Sequence, residues 1–283
     1  MTGESTGAAI STFIDSIWEA AVLVARENSV MAPLVNGYGD MTGLASRYFN
    51  QYTGGSVVSL AETADLSSQT FTPGTVSVIT PAQFGAQYFL TDLRVESDPF
   101  AVRADAARDL GELFAVHVDS NLAGTAIFAN LTGGTVGSAG GTITWANIMA
   151  GISHLRRQNA PQPYTAVLEH GQWYHLAASI APGVTLTNTP ALQNALASRF
   201  FMGSAFGVDF YIDSNIASGT AAYGALFARE AIALDVRRAF RLEPERDASR
   251  GGGGWELNAT TVYAYGIWRA KFGVQMIGTS VLP

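Results

Sequence analysis

The chain has 283 residues, 48% hydrophobic and 14% charged, with 30 glycines, no cysteine and a formal net charge of -7. Charged residues make up about a quarter of an ordinary soluble domain, so this surface is short of charge, and burial against other copies is the simplest way to hide it. The negative balance and a single lysine, Lys271, argue against a phosphate-neutralising nucleic-acid binder, and the lack of cysteine removes disulfides, thiolate catalysis and cysteine zinc sites.

No base precedes Arg26, and Asp15 and Glu19 interrupt the apolar stretch there, so a secretory signal is not expected. No window carries the ~20 consecutive apolar residues of a membrane span. The sequence reads as that of a soluble chain made inside the cell. Ile10, Phe13, Ile14, Ile17, Trp18 and Ala21 recur at helical spacing and predict a short amphipathic helix. That helix needs something to lie against, either its own core or a partner subunit.

Arg47–Tyr52 and Thr70–Ile79 alternate as two strands. The stretch between them, 53–69, holds Glu62 and Asp65 as its only charges and is too poor in large apolar residues to build a core. It fits a long two-stranded arm, or else a surface loop. Asp98-Pro99 opens a long helix running to about Ala123. Ala106, Leu110, Leu113, Phe114 and Val118 form its expected buried stripe, with Arg103, Asp105, Arg108, Asp109 and Glu112 facing away.

Gly133–Gly141 reads as a flexible connector, after which Thr144 caps a helix through Trp145, Ile148, Met149, Ile152 and Leu155. A strand at Thr165–Leu168, helices at Gln172–Ile180 and Pro190–Met202, and a strand at Val208–Ile212 make this block an α+β unit. Thr189 caps the last of those helices, with Pro190 at its first position. Strands follow at Ile232–Val236, Leu257–Tyr265 and Phe272–Ile277, with a turn at Arg250–Gly254.

No motif carries chemistry. The only lysine is followed by Phe272, so no Walker loop exists. Neither Gly137-Ser138-Ala139-Gly140 nor Gly203-Ser204-Ala205-Phe206-Gly207 is a nucleophile elbow. His170 and His175 lack the i, i+4 spacing of a helical metal pair, and His154 lies upstream. His117 reads as an interior histidine beside Leu113 and Phe114. The charge-rich stretch containing Arg237, Arg238, Arg241, Glu243, Glu245, Arg246, Asp247 and Arg250 is either a solvated face or a charge-matched contact between subunits. No catalytic residue, metal or cofactor is expected.

Several stretches resemble the major capsid proteins of tailed bacteriophages with the Hong Kong 97-type fold. Among them are Ile14-Asp15-Ser16-Ile17-Trp18-Glu19, Ala25-Arg26-Glu27-Asn28 and Thr80-Pro81-Ala82-Gln83-Phe84-Gly85-Ala86-Gln87. Thr132-Gly133-Gly134-Thr135-Val136-Gly137, Ala160-Pro161-Gln162-Pro163-Tyr164, Leu242-Glu243-Pro244-Glu245-Arg246-Asp247 and Val262-Tyr263-Ala264-Tyr265-Gly266 are similar too. The resemblance implies an α+β fold with an N-arm over 1–35, an extended β-hairpin E-loop over 36–84 and a peripheral domain with a spine helix over 85–141. An axial α+β domain over 142–227 and peripheral strands over 228–283 would complete it.

The implied function is a coat protein that assembles as hexamers and pentamers into an icosahedral shell around double-stranded DNA, held without sequence-specific binding. Its place would be the virion capsid, assembled in the host cytoplasm, with no membrane. A portal protein, a separate scaffolding protein and a decoration protein are the implied partners. A separate scaffold is expected because no long polar or coiled-coil extension precedes Ile10. Some members of that family lock the shell by an isopeptide bond from an E-loop lysine; the arm here has no lysine, so no such crosslink is expected.

Candidate contacts between subunits are Trp18, Arg47, Tyr48, Glu62, Asp65, Arg238, Arg241, Glu243, Glu245, Arg246 and Asp247. The alternatives are an encapsulin-like compartment shell, which would enclose protein in place of DNA, and an enzyme of unknown type.

Overall fold

The computed structural model describes residues 29–40, 45–52, 55–60, 62–63, 65–66, 68–71, 73–97, 102–179, 201–249 and 252–283. The expected Ile10–Ala21 helix, the Asp98-Pro99 helix start and the Thr189-Pro190 cap lie outside these residues. In chain order the strands are β1 (Asn36–Tyr38), β2 (Arg47–Tyr52), β3 (Pro73–Ile79), β4 (Ala82–Thr91), β5 (Thr135–Gly137) and β6 (Tyr164–Leu168). They continue with β7 (Phe201–Ala205), β8 (Val208–Ile212), β9 (Ala222–Ala228), β10 (Ile232–Asp247), β11 (Gly254–Ile267) and β12 (Gly273–Gly278). The helices are α1 (Asp92–Ser97), α2 (Val102–Leu122), α3 (Thr125–Phe128), α4 (Trp145–Arg157) and α5 (His170–Ala178).

Period-two alternation buries Leu257, Ala259, Thr261 and Tyr263 on one face of β11. This strand pairs antiparallel with both β10 and β4, and β1 joins the start of β10 in parallel, giving the order β1-β10-β11-β4. Beyond Asp235, β10 has no described partner on its outer side, which makes it an edge there. An edge is where a strand tolerates Pro244, whose missing N–H would break an interior ladder. Helix α2 lies on this sheet, packing Ala107, Leu110 and Phe114 against Leu90, Leu242, Leu257 and Ala259.

The second sheet runs β5-β12-β9-β6-β8-β7. Helix α4 covers it with Ile148, Ile152 and Leu155, which meet Val208, Phe210, Leu226, Val274 and Met276. Its start is capped as expected: Asn147 Oδ1 accepts from Thr144 N at 3.1 Å and from Thr144 Oγ1 at 2.6 Å. A third cluster joins the two sheets, with Met31, Val35, Leu122, Phe128, Phe227, Ile232 and Tyr263 at its centre.

Several expectations are corrected. Leu113 and Met149 are 45% and 46% exposed, because each sits at the margin of its helix's apolar stripe, where the sheet does not reach. Phe201 and Met202 begin β7 and do not end a helix; they pair with β8 through a tight turn at Phe206-Gly207. Thr70 and Phe71 precede β3, and the helix at Gln172 begins two residues earlier at His170, where Glu169 Oε2 caps Gly171 N at 2.6 Å.

The Gly133–Gly141 connector contains β5, an edge strand parallel to β12. Gly137 is needed there: it has φ 81°, and a Cβ would stand 2.1 Å from the Ile277 carbonyl oxygen. Sheet membership also departs from the expected divisions. β1 and part of β4 fall inside 36–84 yet belong to the four-stranded sheet, and the sheet of the 142–227 block is completed by β5 and β12 from outside it.

Candidate assembly surface

Strands β2 and β3 form a separate two-stranded ribbon, with Tyr48 opposite Val78 and Asn50 opposite Val76. Its root is clamped to the four-stranded sheet. Arg47, buried at the first position of β2, donates from Nε to Asp235 Oδ2 at 3.1 Å and pairs through Nη2 with Asp40 Oδ1. Its guanidinium carbon stands 4.2 Å from the centroid of the Tyr38 ring, a cation–π placement. Around it, Phe49 and Ile79 pack on Ala233 and Ala264, with Tyr38 and Trp268 closing the cluster. Gln51 Nε2 donates to the Trp268 carbonyl at 2.7 Å, and Ser77 Oγ donates to that of Ile267.

Alternation then turns the other face of the ribbon outward. Tyr48 is 64% exposed, and Tyr52, Val76 and Val78 share its face. Tyr52 and Phe71 stack at 4.7 Å with 11° between their planes, while both remain open to solvent. Every described residue from 55 to 71 is exposed, including Val57, Val58, Leu60 and Leu66. Gln69 holds the tip together, accepting from Ser56 N at 2.8 Å and donating to Ser56 O at 2.6 Å. A contiguous apolar surface on an otherwise solvated protrusion marks an interaction site.

The candidate contact residues divide accordingly. Tyr48, Glu62 and Asp65 lie exposed on the arm, and Glu245 is exposed on β10. Arg47 is an internal clamp with little surface to offer a neighbour. Arg241 pairs with Glu243, and Arg246 grips Asp92 at 2.9 and 2.6 Å while lying over the Trp255 ring. Asp247 Oδ1 accepts from Ser249 N at 2.8 Å and so shapes the turn after β10. Arg238 is half-buried, and its carbonyl accepts from Thr261 Oγ1 at 3.0 Å. Trp18 lies outside the described residues. Thus the stretch expected to be a solvated face or a subunit contact is a strand, with several of its charges matched inside the chain.

Sequence reasoning missed the partners of these residues. Asp235 stands in an apolar run and Asp40 in a turn, and neither carries a local sign that it meets Arg47. Asp119 was missed too. At 1% exposure it accepts from Ser29 Oγ at 2.7 Å, Val30 N at 2.6 Å and Met31 N at 3.1 Å. Burial pushes its carboxyl up to about 6, against the pull of those donors. Asp213 is buried nearby and likewise pushed up by burial, with Asn215 N donating to it at 2.8 Å.

The histidines do not converge. His117 edges the Phe84 ring at 4.6 Å, and burial lowers its pKa. His175 Nε2 donates to the Val281 carbonyl at 2.9 Å, tying down the C-terminal residues. Among the described residues no group of three or more His, Cys, Asp or Glu could hold a metal ion. Also among them, no helix is long and apolar enough to cross a membrane.

The phage capsid protein family model matches residues 74–275, from the returning strand of the arm, β3, to the last strand of the second sheet. The chain belongs to that family. It is a structural coat protein, it is not an enzyme, and its place is the virion capsid. No curated protein matches the sequence.

Among solved structures, one from Mycobacterium phage Che8 superposes with a TM-score of 0.70 at 16% identity, covering 88% of this chain and 90% of that one. The capsid of Ralstonia phage GP4 gives 0.66 at 10% identity, covering 91% and 89%. A virus-like particle from Pyrococcus furiosus gives 0.59 at 9% identity, covering 93% and 99%. At such identities the coat protein shares a fold with these chains. The mixed α+β architecture is therefore that of phage capsid structures.

Proposed function

We propose that the coat protein builds an icosahedral shell of the Hong Kong 97 type, as hexamers and pentamers, around the double-stranded DNA of a tailed phage. The ribbon of β2 and β3 acts as its E-loop, α2 as its spine helix, the α4-bearing sheet as the core of its axial domain, and the chain before Asn36 as its N-arm. The observation that carries this reading is the arm itself. Its root is fixed by a buried ion pair and an aromatic cluster, so its direction is set, while its outer face is apolar and exposed among the described residues.

A second copy supplies the missing partner, because burial of such a face against an identical neighbour is how a symmetric shell closes. Without a lysine in the arm the contact is held by buried area and strand pairing. The net charge of -7 suits a container that encloses DNA without gripping it. A scaffolding protein directs closure, and portal and decoration proteins join the shell, all assembled in the host cytoplasm.

Negative-stain microscopy of the expressed chain, alone and with its neighbouring gene products, tests this. Uniform spherical particles are expected from the native chain expressed with its scaffolding protein and not from the chain alone, and Tyr52→Asp with Phe71→Asp should leave folded subunits that do not close under either condition. Normal particles from that double variant would remove the arm from the assembly contact. Particles that enclose protein and no nucleic acid would assign an encapsulin-like compartment instead.

A further inference from the structure

Helix α2 has one face whose behaviour changes along its length. Asp105, Arg108, Asp109, Glu112 and Val116 recur at three and four residues and are exposed, and Asp119 continues the same series. By periodicity Asp119 belongs in solvent. It is buried because Ser29, Val30 and Met31 lie across it and donate to both of its carboxylate oxygens. The first described residues of the chain thus enter the molecule by crossing the solvent face of α2.

One turn back along the helix from that crossing, Val116 is 51% exposed, and Leu113 stands beside it. Next to them a cleft of about 250 Å³ opens between α2 and β4, lined by Phe84, Gly85, Ala86, Leu113, Phe114 and His117. The lining is almost wholly apolar, and the cleft is smaller than the ~300–1,000 Å³ of small-molecule sites. It suits one or two side chains. In sequence, the same chain carries apolar residues at helical spacing before Ser29, at Ile10, Phe13, Ile14, Ile17, Trp18 and Ala21.

We infer that residues 10–21 dock on α2 of their own chain, laying this stripe along Leu113 and Val116 and seating a side chain in the cleft at Phe84 and His117. The reach is sufficient. The eight residues from Ala21 to Ser29 span up to ~28 Å when extended, and Leu113 lies ~9 Å along the helix from Asp119. A segment tethered this closely has an effective concentration of about millimolar, so its own groove outcompetes a neighbour's. Asp119 is then the pin that turns the chain onto α2, and the docked segment hides the apolar residues that α2 leaves uncovered. The inference concerns the unassembled subunit and stands apart from the shell reading.

The cysteine-free sequence makes the test clean. Val116→Cys is combined with a second cysteine on the apolar stripe (Ile14→Cys, Ile17→Cys or Trp18→Cys) or on the opposite face (Ser16→Cys or Glu19→Cys). Each purified subunit is treated with a short bis-maleimide, and linked peptides are read by mass spectrometry. Intrachain linkage from the stripe at least ~10-fold faster than from the opposite face is expected.

Mixtures of single-cysteine chains at micromolar concentration should link about 10³-fold more slowly than the double variants. Equal rates from both faces would show a tethered but undocked segment and overturn the inference. Linkage that appears only in the mixtures would place the segment on a neighbouring copy and overturn it equally. Both readouts come from the subunit before any particle forms, so failure of shell assembly leaves them intact.

Discussion

Asp235→Ala should unfasten the arm at a cost that can be worked from its surroundings. The Asp235 side chain is wholly buried and that of Arg47 is 9% exposed, with 3.1 Å between Nε and Oδ2. Removing one member of a buried pair costs about 3–5 kcal/mol, because the other charge is left without compensation. Here Arg47 keeps Asp40, but that carboxylate is 76% exposed, and an exposed partner contributes only ~0–1 kcal/mol. The expected loss is therefore about 3 kcal/mol, near the lower end of the range.

With a urea slope of about 3 kcal/mol/M, the midpoint should fall by about 1 M. The assay is urea unfolding of the unassembled subunit, followed by tryptophan fluorescence, since Trp268 lies 5.2 Å from Phe49 within the same cluster. Replacing both partners, as Arg47→Met with Asp235→Leu, should restore most of the loss, because apolar groups leave no unpaired charge behind. A single variant within ~0.5 kcal/mol of the native chain, the range of ordinary surface changes, would refute the argument. So would a double variant as unstable as the single one.

Asp119 predicts a pH dependence of definite sign. Its folded pKa, about 6, lies above the ordinary 3.8, so between those values the folded state holds more protons than the unfolded one and stability falls as pH rises. The shift is worth about 3 kcal/mol; the native chain should lose that increment between pH 4 and 7, and Asp119→Asn should not, as read by urea midpoints at the two pH values. On α2, Leu110→Ala should cost ~2–5 kcal/mol by opening a cavity, whereas Glu112→Ala, at an exposed position of the same helix, should stay within ~0.5 kcal/mol; thermal melts separate the two. Particles boiled in detergent should run as a single monomer band on denaturing electrophoresis, because the arm has no lysine, and a ladder of covalent oligomers would contradict this.

Legibility followed the range of the interactions. The Thr144 cap and α4, the alternating strands of the arm and the long α2 all rest on neighbours within a few residues, and the observed elements there are of the expected type, although β3 begins only at Pro73. The 53–69 segment, too poor in apolar residues for a core, is exposed wherever it is described. The site was less legible. Tyr48 could be placed on an outward face by counting residues, but Arg47, one position away, could not be recognised as a clamp. Its partner Asp235 is 188 residues distant. Arg246 likewise finds its partner, Asp92, 154 residues away.

By itself, then, the sequence determined the α+β class, a cysteine-free chain short of charge, an arm without a lysine and the absence of any recognisable catalytic motif. Those are matters of composition and local period, and they survive any arrangement of the parts. Tertiary structure alone decided that Leu113 is uncovered and Asp119 covered, although helical spacing assigns them the reverse. It also decided that Thr135–Gly137 completes a sheet with the chain's last strand. The physical reason is common to all three: spacing says which residues share a face, but burial depends on which distant segment comes to lie on that face.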